Sequence, residues 1–321
     1  MSTDTTHAPD RVDNRVPFAQ ELIELARTDE RIVAVCNDSV GSSNLGAFRE
    51  EFPDRLINVG IAEQNMVGVG AGLAIAGYIP FVCAAAPFLT GRALEQIKAD
   101  VAYNQAPVIL CGMSPGFAYG ELGPTHHSPE DYSWLRALPG LDIVVPADEA
   151  QTRAVVRDVV ATPRPTYLRV GRHKVPAVTR PGETLERGRF SVAREGADVT
   201  IIAAGTEVSE ALAAAELLAA EGVQTRVLNA VYLNPLDTDA IRAAARETRA
   251  IITAEEANVA GGLGAAVAAV VAELPREHRV AVSMAGLREF APTGSTTYLL
   301  QHFGLDAASL AARVGEVLGR E

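Results

Sequence analysis

The amino-acid sequence predicts an α/β protein built from two parallel-sheet domains, on three observations. Apolar runs of strand length alternate with helical stretches through residues 31–170, a pattern typical of a parallel sheet with crossover helices. Residues 173–189 interrupt this pattern with Pro176, Pro181 and Gly182 among charged residues, as an interdomain linker does. A second alternation then runs from about residue 199 to the end of the chain.

The first domain is predicted at residues 11–175. Its strands are the apolar runs at 32–36, 57–59, 79–84, 108–111, 143–145 and 167–170. Over residues 89–103 the spacing of Leu94, Ile97 and Val101 predicts an amphipathic helix with these three side chains on its inner face.

The second domain is predicted at residues 190–321, after a linker at 176–189. Strands are expected at 199–203, 225–228, 250–254 and 280–283, and helices at 208–220, 238–248, 263–274 and in two stretches after Thr296. The first ten residues, 1–10, are expected to be a disordered N-terminus.

Composition excludes several classes of protein. The chain has 321 residues, of which 48% are hydrophobic and 21% charged, enough for two full cores. Its net charge of -12 argues against nucleic acid or an anionic membrane as a partner, because either needs a basic surface. No apolar run of transmembrane length and no signal-peptide profile is present, which predicts a cytoplasmic protein. Three cysteines, Cys36, Cys83 and Cys111, lack metal or redox spacing and are expected to fill the core.

The run from Asn58 to Gly72 places one carboxylate, Glu63, among apolar and small residues. A strand precedes it and a helix follows, so Glu63 is predicted at a strand-to-helix junction. An isolated acid at such a position ordinarily just favours the helix N-terminus. Beyond it, small residues recur at every fourth position, at Gly68, Gly72 and Ala76, which predicts the close approach of another backbone on that face.

With residues 58–77 in view, the chain resembles the pyrimidine-binding half of transketolases, the thiamine diphosphate enzymes that transfer two-carbon ketol units. The run AIITAEEANVAGGLG at 250–264 resembles their C-terminal domain. The resemblance extends from about Arg11 to the end of the chain. It implies two α/β domains of the thiamine diphosphate enzyme type, a pyrimidine-binding domain and a smaller C-terminal one.

The resemblance implies a cofactor site around Glu63. The matching family glutamate bonds the aminopyrimidine, and a protonated carboxyl group there stabilises the tautomer that activates the thiazolium. Asp38, Gly60, Ile61 and Phe88 match other positions beside the cofactor. The family pattern has a second aromatic residue where this chain has Ala85, and an aromatic contact is worth about 1 kcal/mol beyond its area.

A loop around Gly120–Leu122 resembles the family's GEDGPTHQ loop, whose histidine contacts substrate oxygens, and His126 takes that position. Metal binding is an alternative for a loop with two adjacent histidines, but these lack the one-face geometry of zinc motifs. His127 replaces the family glutamine and is expected to be structural. Leu122 replaces an aspartate that recognises a substrate hydroxyl, which puts the usual sugar specificity in doubt.

The turn at residues 37–44 and the arginine at 172 are the remaining candidates. From the residues alone the turn is at least as well explained by solvated cap residues. The resemblance implies that Ser42 or Ser43 and Arg172 bind a sugar phosphate, and guanidinium suits phosphate through paired hydrogen bonds. Arg169 has no family counterpart and is interpreted as a sheet-edge charge. The glycines at 261–264 are interpreted as a helix start and not as a phosphate loop.

Full-length transketolases begin with a diphosphate-binding domain that ligates Mg²⁺, and nothing in this sequence corresponds to it. We therefore expect the second subunit of a split transketolase that uses thiamine diphosphate. A separate partner subunit is expected to hold the diphosphate and Mg²⁺ (or Ca²⁺) in an α₂β₂ assembly. Sugar phosphates are the expected substrates. The alternatives are a 2-oxo acid dehydrogenase β-subunit, a 1-deoxyxylulose-phosphate synthase-like enzyme and a non-catalytic stabilising partner.

Overall fold

Parallel strands dominate both sheets of the protein. The computed structural model describes residues 11–319, so the predicted disordered N-terminus lies outside the described residues. Seven strands form the first sheet, in the order β10-β5-β6-β4-β3-β1-β2. These are β1 Ile32–Cys36, β2 Leu56–Asn58, β3 Ile79–Ala85, β4 Ile109–Met113, β5 Asp142–Val144, β6 Thr166–Val170 and β10 Tyr232–Asn234.

Five strands form the second sheet, in the order β12-β11-β8-β9-β7. These are β7 Ser191–Arg194, β8 Val199–Ala203, β9 Thr225–Asn229, β11 Ala250–Asn258 and β12 Ala281–Leu287. Only the edge strands β7 and β10 pair antiparallel within the described part of the chain, and neither was predicted. Two α/β domains are thus present, and the predicted fold class is confirmed.

Helices cover the faces of both sheets. Those of the first part of the chain are α1 Arg15–Ala26, α2 Gly46–Glu51, α3 Glu63–Ile75, α4 Ala86–Arg92, α5 Leu94–Gln96, α6 Asp131–Leu135 and α7 Glu149–Ala161. Those of the second part are α8 Glu207–Ala220, α9 Thr238–Glu247, α10 Leu263–Ala272, α11 Thr296–His302 and α12 Ala307–Val317. Among the described helices, none has both the length and the apolar character needed to cross a bilayer.

The helix predicted over residues 89–103 is not continuous. Helix α4 ends at Arg92, Ala93 takes a non-helical backbone conformation, and a π-helix spans Ile97–Tyr103. The predicted inner-face residues Ile97 and Val101 are nevertheless fully buried. Hydrophobic spacing therefore identified the buried face but not the break, which depends on local backbone geometry.

The close approach predicted along α3 occurs on a different face. A Cβ added to Gly70 would lie 2.5 Å from Val82 Cγ2, whereas one added to Gly72 would meet nothing within 4 Å, and the nearest atom to one at Gly68 is 3.9 Å away. Gly70 is therefore the glycine that lets α3 pack on β3. The face with Gly68 and Gly72 has no close neighbour in the described chain.

The three cysteines are neighbours in space. Cys36 pairs in register with Cys83, and Cys83 with Cys111, across β1, β3 and β4. All three are free and buried, as expected for core residues. The order of the strands brings the three cysteines together, and the sequence does not reveal this proximity because they lie far apart along the chain.

The segment between β6 and β7 contains no described helix or strand apart from one isolated bridge, Val12 to Val175. The carboxylate of Asp148 holds it in place by accepting hydrogen bonds from Val178 N (2.7 Å) and Thr179 N (2.6 Å). Strand β10, which follows this segment in sequence, joins the first sheet beside β5. The two predicted domains therefore share a sheet, and their boundaries remain predictions.

Candidate active site

The candidate residues gather at one edge of the first sheet. Parallel strands place their carboxyl ends together, and open α/β sheets bind ligands there. Asn37 and Asp38 follow β1, Gly60 and Ile61 follow β2, and Phe88 follows β3. The loop after β4 carries Leu122 and His126, and Arg172 follows β6.

Glu63 is the first residue of α3 and is only 3% exposed. Its Oε1 accepts hydrogen bonds from Asn37 Nδ2 at 2.7 Å and from Arg92 Nη1 at 3.0 Å. No group among the described residues donates to Oε2. The carboxyl group is thus oriented through one oxygen, and the other is available to a ligand.

Asp38 and Asn58 connect the ends of β1 and β2. Asp38 has a left-handed backbone (φ 69°), its amide donates to Asn58 Oδ1 at 3.1 Å, and Asn58 Nδ2 donates to Asp38 Oδ1 at 3.1 Å. Asn58 Oδ1 also accepts from Gly60 N at 2.9 Å. This network presents Ile61, whose side chain is 77% exposed, at the rim of the site.

A row of side chains in contact with one another leads from Glu63 toward Arg172. The Arg92 guanidinium lies 4.2 Å above the Phe88 ring centre, and Phe88 meets the His126 ring edge-on at 5.3 Å. His126 contacts Tyr119 at 6.1 Å, and the Arg172 guanidinium lies 5.2 Å from the centre of the Tyr119 ring. The structure therefore connects Glu63, Phe88, His126 and Arg172 through one series of contacts that runs by way of Arg92 and Tyr119.

Leu122 and Arg172 line the same cavity, which has a volume of about 450 Å³. Tyr119 and the backbone of residues 294–296 form other parts of its wall. Leu122 is 56% exposed, and Arg172 has no carboxylate partner among residues 11–319. An apolar side chain and an unpaired guanidinium thus face the same space.

Ser42 stands apart from this row in the described structure. Its hydroxyl donates to Ser39 O at 3.2 Å, and Arg15 Nη1 donates to Ser42 O at 2.9 Å. No hydrogen bond or ion pair within residues 11–319 joins Ser42 to Arg172. Its role in phosphate binding remains a prediction.

The two adjacent histidines have different environments. His127 is buried, makes a 3.2 Å hydrogen bond between Nε2 and Gly120 O, and meets Phe117 edge-on. His126 is partly exposed, and its Nδ1 bonds Thr125 Oγ1 at 2.9 Å, while Nε2 has no partner in the described chain. Within residues 11–319, no group of three or more His, Cys, Asp or Glu side chains is arranged to hold a metal ion.

The interpretation of Arg169 as a sheet-edge charge is wrong. Strand β6 lies inside the sheet between β5 and β4, and Arg169 is buried, donating to Asp131 Oδ2 at 2.8 Å and to Glu256 O at 3.0 Å. Tyr167 also donates to Asp131 Oδ2, at 2.7 Å. Strand order, which the sequence does not reveal, determines this burial.

Buried acids lie where the two sheets meet. Burial raises the pKa of Glu255 to about 7, although hydrogen bonds from Gly264 N and Leu263 N oppose this. Burial, with Glu256 nearby, holds the pKa of Glu207 well above its ordinary value, and neither Glu207 oxygen has a described hydrogen-bond partner. Glu255 accepts hydrogen bonds from the first backbone amides of α10, which begins at Leu263. The glycines at 261–264 therefore lie at a helix start, as interpreted from the sequence.

Sequence reasoning missed Asn37, Arg92 and Tyr119 as site residues. Asn37 directly follows a strand, which was a usable signal. Arg92 carried none, because it reaches Glu63 across 29 positions of the chain. Tyr119 carried no signal either, because its contact with Arg172 depends on the folded position of the loop.

Comparison with known proteins identifies the family. The model of the transketolase pyrimidine-binding domain matches residues 10–178, and that of the transketolase C-terminal domain matches residues 188–310. The chain belongs to the transketolase family. The candidate residues from Asp38 to Arg172 all lie within the part of the chain that matches the pyrimidine-binding domain.

Relatives of this chain include proteins named as transketolase subunits. It is 45% identical to an apulose-4-phosphate transketolase subunit of Phocaeicola vulgatus, covering 91% of this chain and 93% of that protein. It is 39% identical to a 6-deoxy-6-sulfo-D-fructose transketolase subunit of a Clostridium species, covering 96% and 95%. A solved structure described as a split gene transketolase, an inactive beta4 tetramer, matches with a TM-score of 0.86 and 37% identity over 97% of this chain and 99% of its own.

Proposed function

We propose that this chain is the pyrimidine-binding subunit of a split, thiamine diphosphate-dependent transketolase and is active only with a separate diphosphate-binding subunit. The observation that carries the proposal is Glu63, a buried carboxyl group held through Oε1 with Oε2 unused. An acid with one free oxygen, beside the aromatic ring of Phe88, fits an aminopyrimidine.

Glu63, Phe88, Gly60, Ile61 and Asp38 would hold the pyrimidine end of the cofactor. When bound, thiamine diphosphate supplies a carbon nucleophile that takes up the two-carbon ketol unit. Glu63 would share a proton between its Oε2 and the bound pyrimidine, while Asn37 and Arg92 keep its carboxyl group oriented. Mg²⁺ or Ca²⁺ and the diphosphate would be held by the partner subunit.

His126 and Arg172 would bind the substrate. His126 lies between Phe88 and Tyr119, and its Nε2, which has no partner in the described chain, can bond a substrate oxygen. Arg172 has no carboxylate partner within residues 11–319, and its guanidinium suits a terminal oxyanion. The names of two relatives contain a sugar phosphate and a sulfo-sugar, and both substituents are oxyanions, which supports a substrate of this class. Ser42 is proposed as a second phosphate contact.

Leu122 would alter acceptor choice. Its exposed isobutyl group lines the cavity of Arg172, where it cannot hydrogen-bond a hydroxyl. Burying a substrate hydroxyl against this side chain without a hydrogen bond costs about 1–3 kcal/mol of binding free energy. We infer a specialised acceptor that is deoxygenated, differently configured or bulkier at that carbon.

The alternatives are less well supported. Relatives named 1-deoxy-D-xylulose-5-phosphate synthase are 36–38% identical, but this chain covers only 45–47% of their length. A non-catalytic partner would not need a buried acid with a free oxygen. A 2-oxo acid dehydrogenase β-subunit would have no use for the unpaired Arg172.

Reconstitution tests the proposal. The chain alone, titrated calorimetrically with thiamine diphosphate and Mg²⁺, should bind weakly, because the diphosphate ligands are expected in the partner. Mixed with the diphosphate-binding chain of a split transketolase, it should catalyse ketol transfer and form an α₂β₂ complex by light scattering. Tight magnesium-dependent binding by the lone chain, or lipoyl acylation in place of ketol transfer, would overturn the proposal.

A further inference from the structure

The loop at residues 114–127, which carries Tyr119, Leu122 and His126, is held from the second domain. Apart from a 3₁₀ turn at Gly120–Leu122, it has no helix or strand, so its position depends on contacts from outside. The first sheet supplies one at the start of the loop, where Ser114 N donates to Val170 O (3.0 Å). The second domain supplies three: Phe117 N donates to Glu256 Oε1 (2.6 Å), Gly294 N to Gly120 O (3.0 Å), and Thr296 Oγ1 to Phe117 O (3.2 Å).

Glu256 is the charged group among these contacts. It is buried, its Oε2 accepts from Thr206 Oγ1 at 3.0 Å, and its backbone oxygen accepts from Arg169 Nη2 at 3.0 Å. Both side-chain oxygens therefore have protein partners, Phe117 N and Thr206 Oγ1. The Glu256 side chain therefore contacts the loop through its hydrogen bond from Phe117 N.

The backbone at the start of the loop is shaped around this carboxylate. Gly116 has a left-handed conformation (φ 58°), and a Cβ placed there would lie 2.5 Å from Glu256 Cδ. The neighbouring Phe117 ring stacks on Phe303 at 5.5 Å and meets His127 edge-on at 6.0 Å. The loop thus fits one position of the carboxylate closely.

We propose that Glu256 is a positioning residue for the substrate: through Phe117 N it sets the position of the loop that presents Leu122 and His126. This inference rests on the proposed function. It assigns the C-terminal domain a part in substrate recognition, although Glu256 touches neither substrate nor cofactor. The sequence neighbour Glu255 bonds Tyr132 and the start of α10 instead, so it provides a matched control.

The test uses the reconstituted complex and a panel of ketose phosphates led by D-xylulose 5-phosphate. Glu256→Ala removes the acceptor, and Glu256→Asp withdraws it by one methylene while keeping the charge. Both should raise KM for the ketose phosphate about tenfold and leave the apparent affinity for thiamine diphosphate within about twofold. Glu256→Gln keeps an acceptor for Phe117 N and should restore KM to within about threefold, while Glu255→Gln should leave KM unchanged.

Each outcome decides the matter. If Glu256→Ala fails to fold, Glu256→Asp carries the test, because it preserves size and charge more closely. An unchanged KM in Glu256→Asp, or equal losses of substrate and cofactor affinity, would overturn the positioning role. A wild-type complex without ketol transfer on any ketose phosphate would instead refute the proposed function, so the two failures are distinguishable.

Discussion

Two regions of this molecule use the same residue types in opposite ways. At the sheet edge, Glu63 and Arg172 each keep hydrogen-bonding capacity that no described residue uses. Where the two sheets meet, Glu255 is saturated, because it accepts from Leu263 N, Gly264 N and Tyr132 OH, and Arg169 is paired with Asp131. Glu207 is the exception there, since neither of its oxygens has a described partner.

This contrast separates binding groups from structural ones. A buried charge is costly unless it is paired, so saturation is what stability alone requires. Unused hydrogen-bonding capacity at Glu63 and Arg172 is what the proposed binding of cofactor and substrate requires. The two acids and the two arginines therefore form matched pairs for experiment.

The acids should give the largest effect. Glu63→Gln should lower turnover of the reconstituted enzyme by at least about 100-fold, because an amide cannot exchange the proton that catalysis requires. Folding and assembly should be retained, as measured by circular dichroism and light scattering. Near wild-type turnover would mean that Glu63 only favours the start of α3. The free oxygen of Glu63 would then have no catalytic role.

The arginines should separate affinity from stability. Arg169→Ala leaves Asp131 as a buried, unpaired charge and should cost about 3–5 kcal/mol of unfolding free energy. Arg172→Ala should change stability by less than about 0.5 kcal/mol but raise KM for a phosphorylated substrate more than about tenfold. Urea denaturation and steady-state kinetics on both variants measure this, and an unchanged KM in Arg172→Ala contradicts a phosphate contact.

The saturated acid should show itself in the pH dependence of stability. Because the pKa of Glu255 rises from 4.5 to about 7 on folding, the folded state favours the protonated form. Its contribution to stability is full below about pH 4.5 and falls by up to about 3 kcal/mol as pH rises through 7. The raised pKa of Glu207 adds a decline of the same sign.

Glu255→Gln should remove its part of that decline. Any hydrogen bond lost to the amide shifts the whole profile without changing its slope. Denaturation at pH 5 and pH 8 should therefore show the variant gaining on the wild type as pH rises. Parallel profiles would indicate that Glu255 is not buried as described.

Leu122 should give the smallest effect, and it tests how the open site chooses its acceptor. Leu122→Asp should raise activity with common aldose phosphate acceptors about tenfold, because the carboxylate can bond the hydroxyl that leucine cannot. Activity with the native acceptor should fall. An acceptor panel on both enzymes measures this, and an identical preference before and after the change would show that Leu122 does not face the substrate.

Most of the strands could be predicted, because apolar runs bounded by turns define them. The strands at 32–36 and 199–203 were predicted to the residue. The edge strands β7 and β10 were missed, since each is short and pairs antiparallel with a partner distant in sequence. The break at Ala93 was missed because hydrophobic spacing does not report backbone dihedrals.

The site residues divide in the same way. Glu63, Phe88, His126 and Arg172 could be proposed from the sequence, since each lies in a short motif that resembles the family pattern. Arg92 and Glu256 could not, because their partners, Glu63 and Phe117, lie 29 and 139 positions away.

The alternation of elements, the apolar faces and the motifs that identify the family can all be read from the sequence, because they depend on residues close together in the chain. Which charges are saturated and which remain free became known only from the folded structure. That property depends on distances between strands, helices and loops that are remote in sequence. The buried pairing of Arg169 and the unused oxygen of Glu63 both depend on the spatial order of the strands in the first sheet.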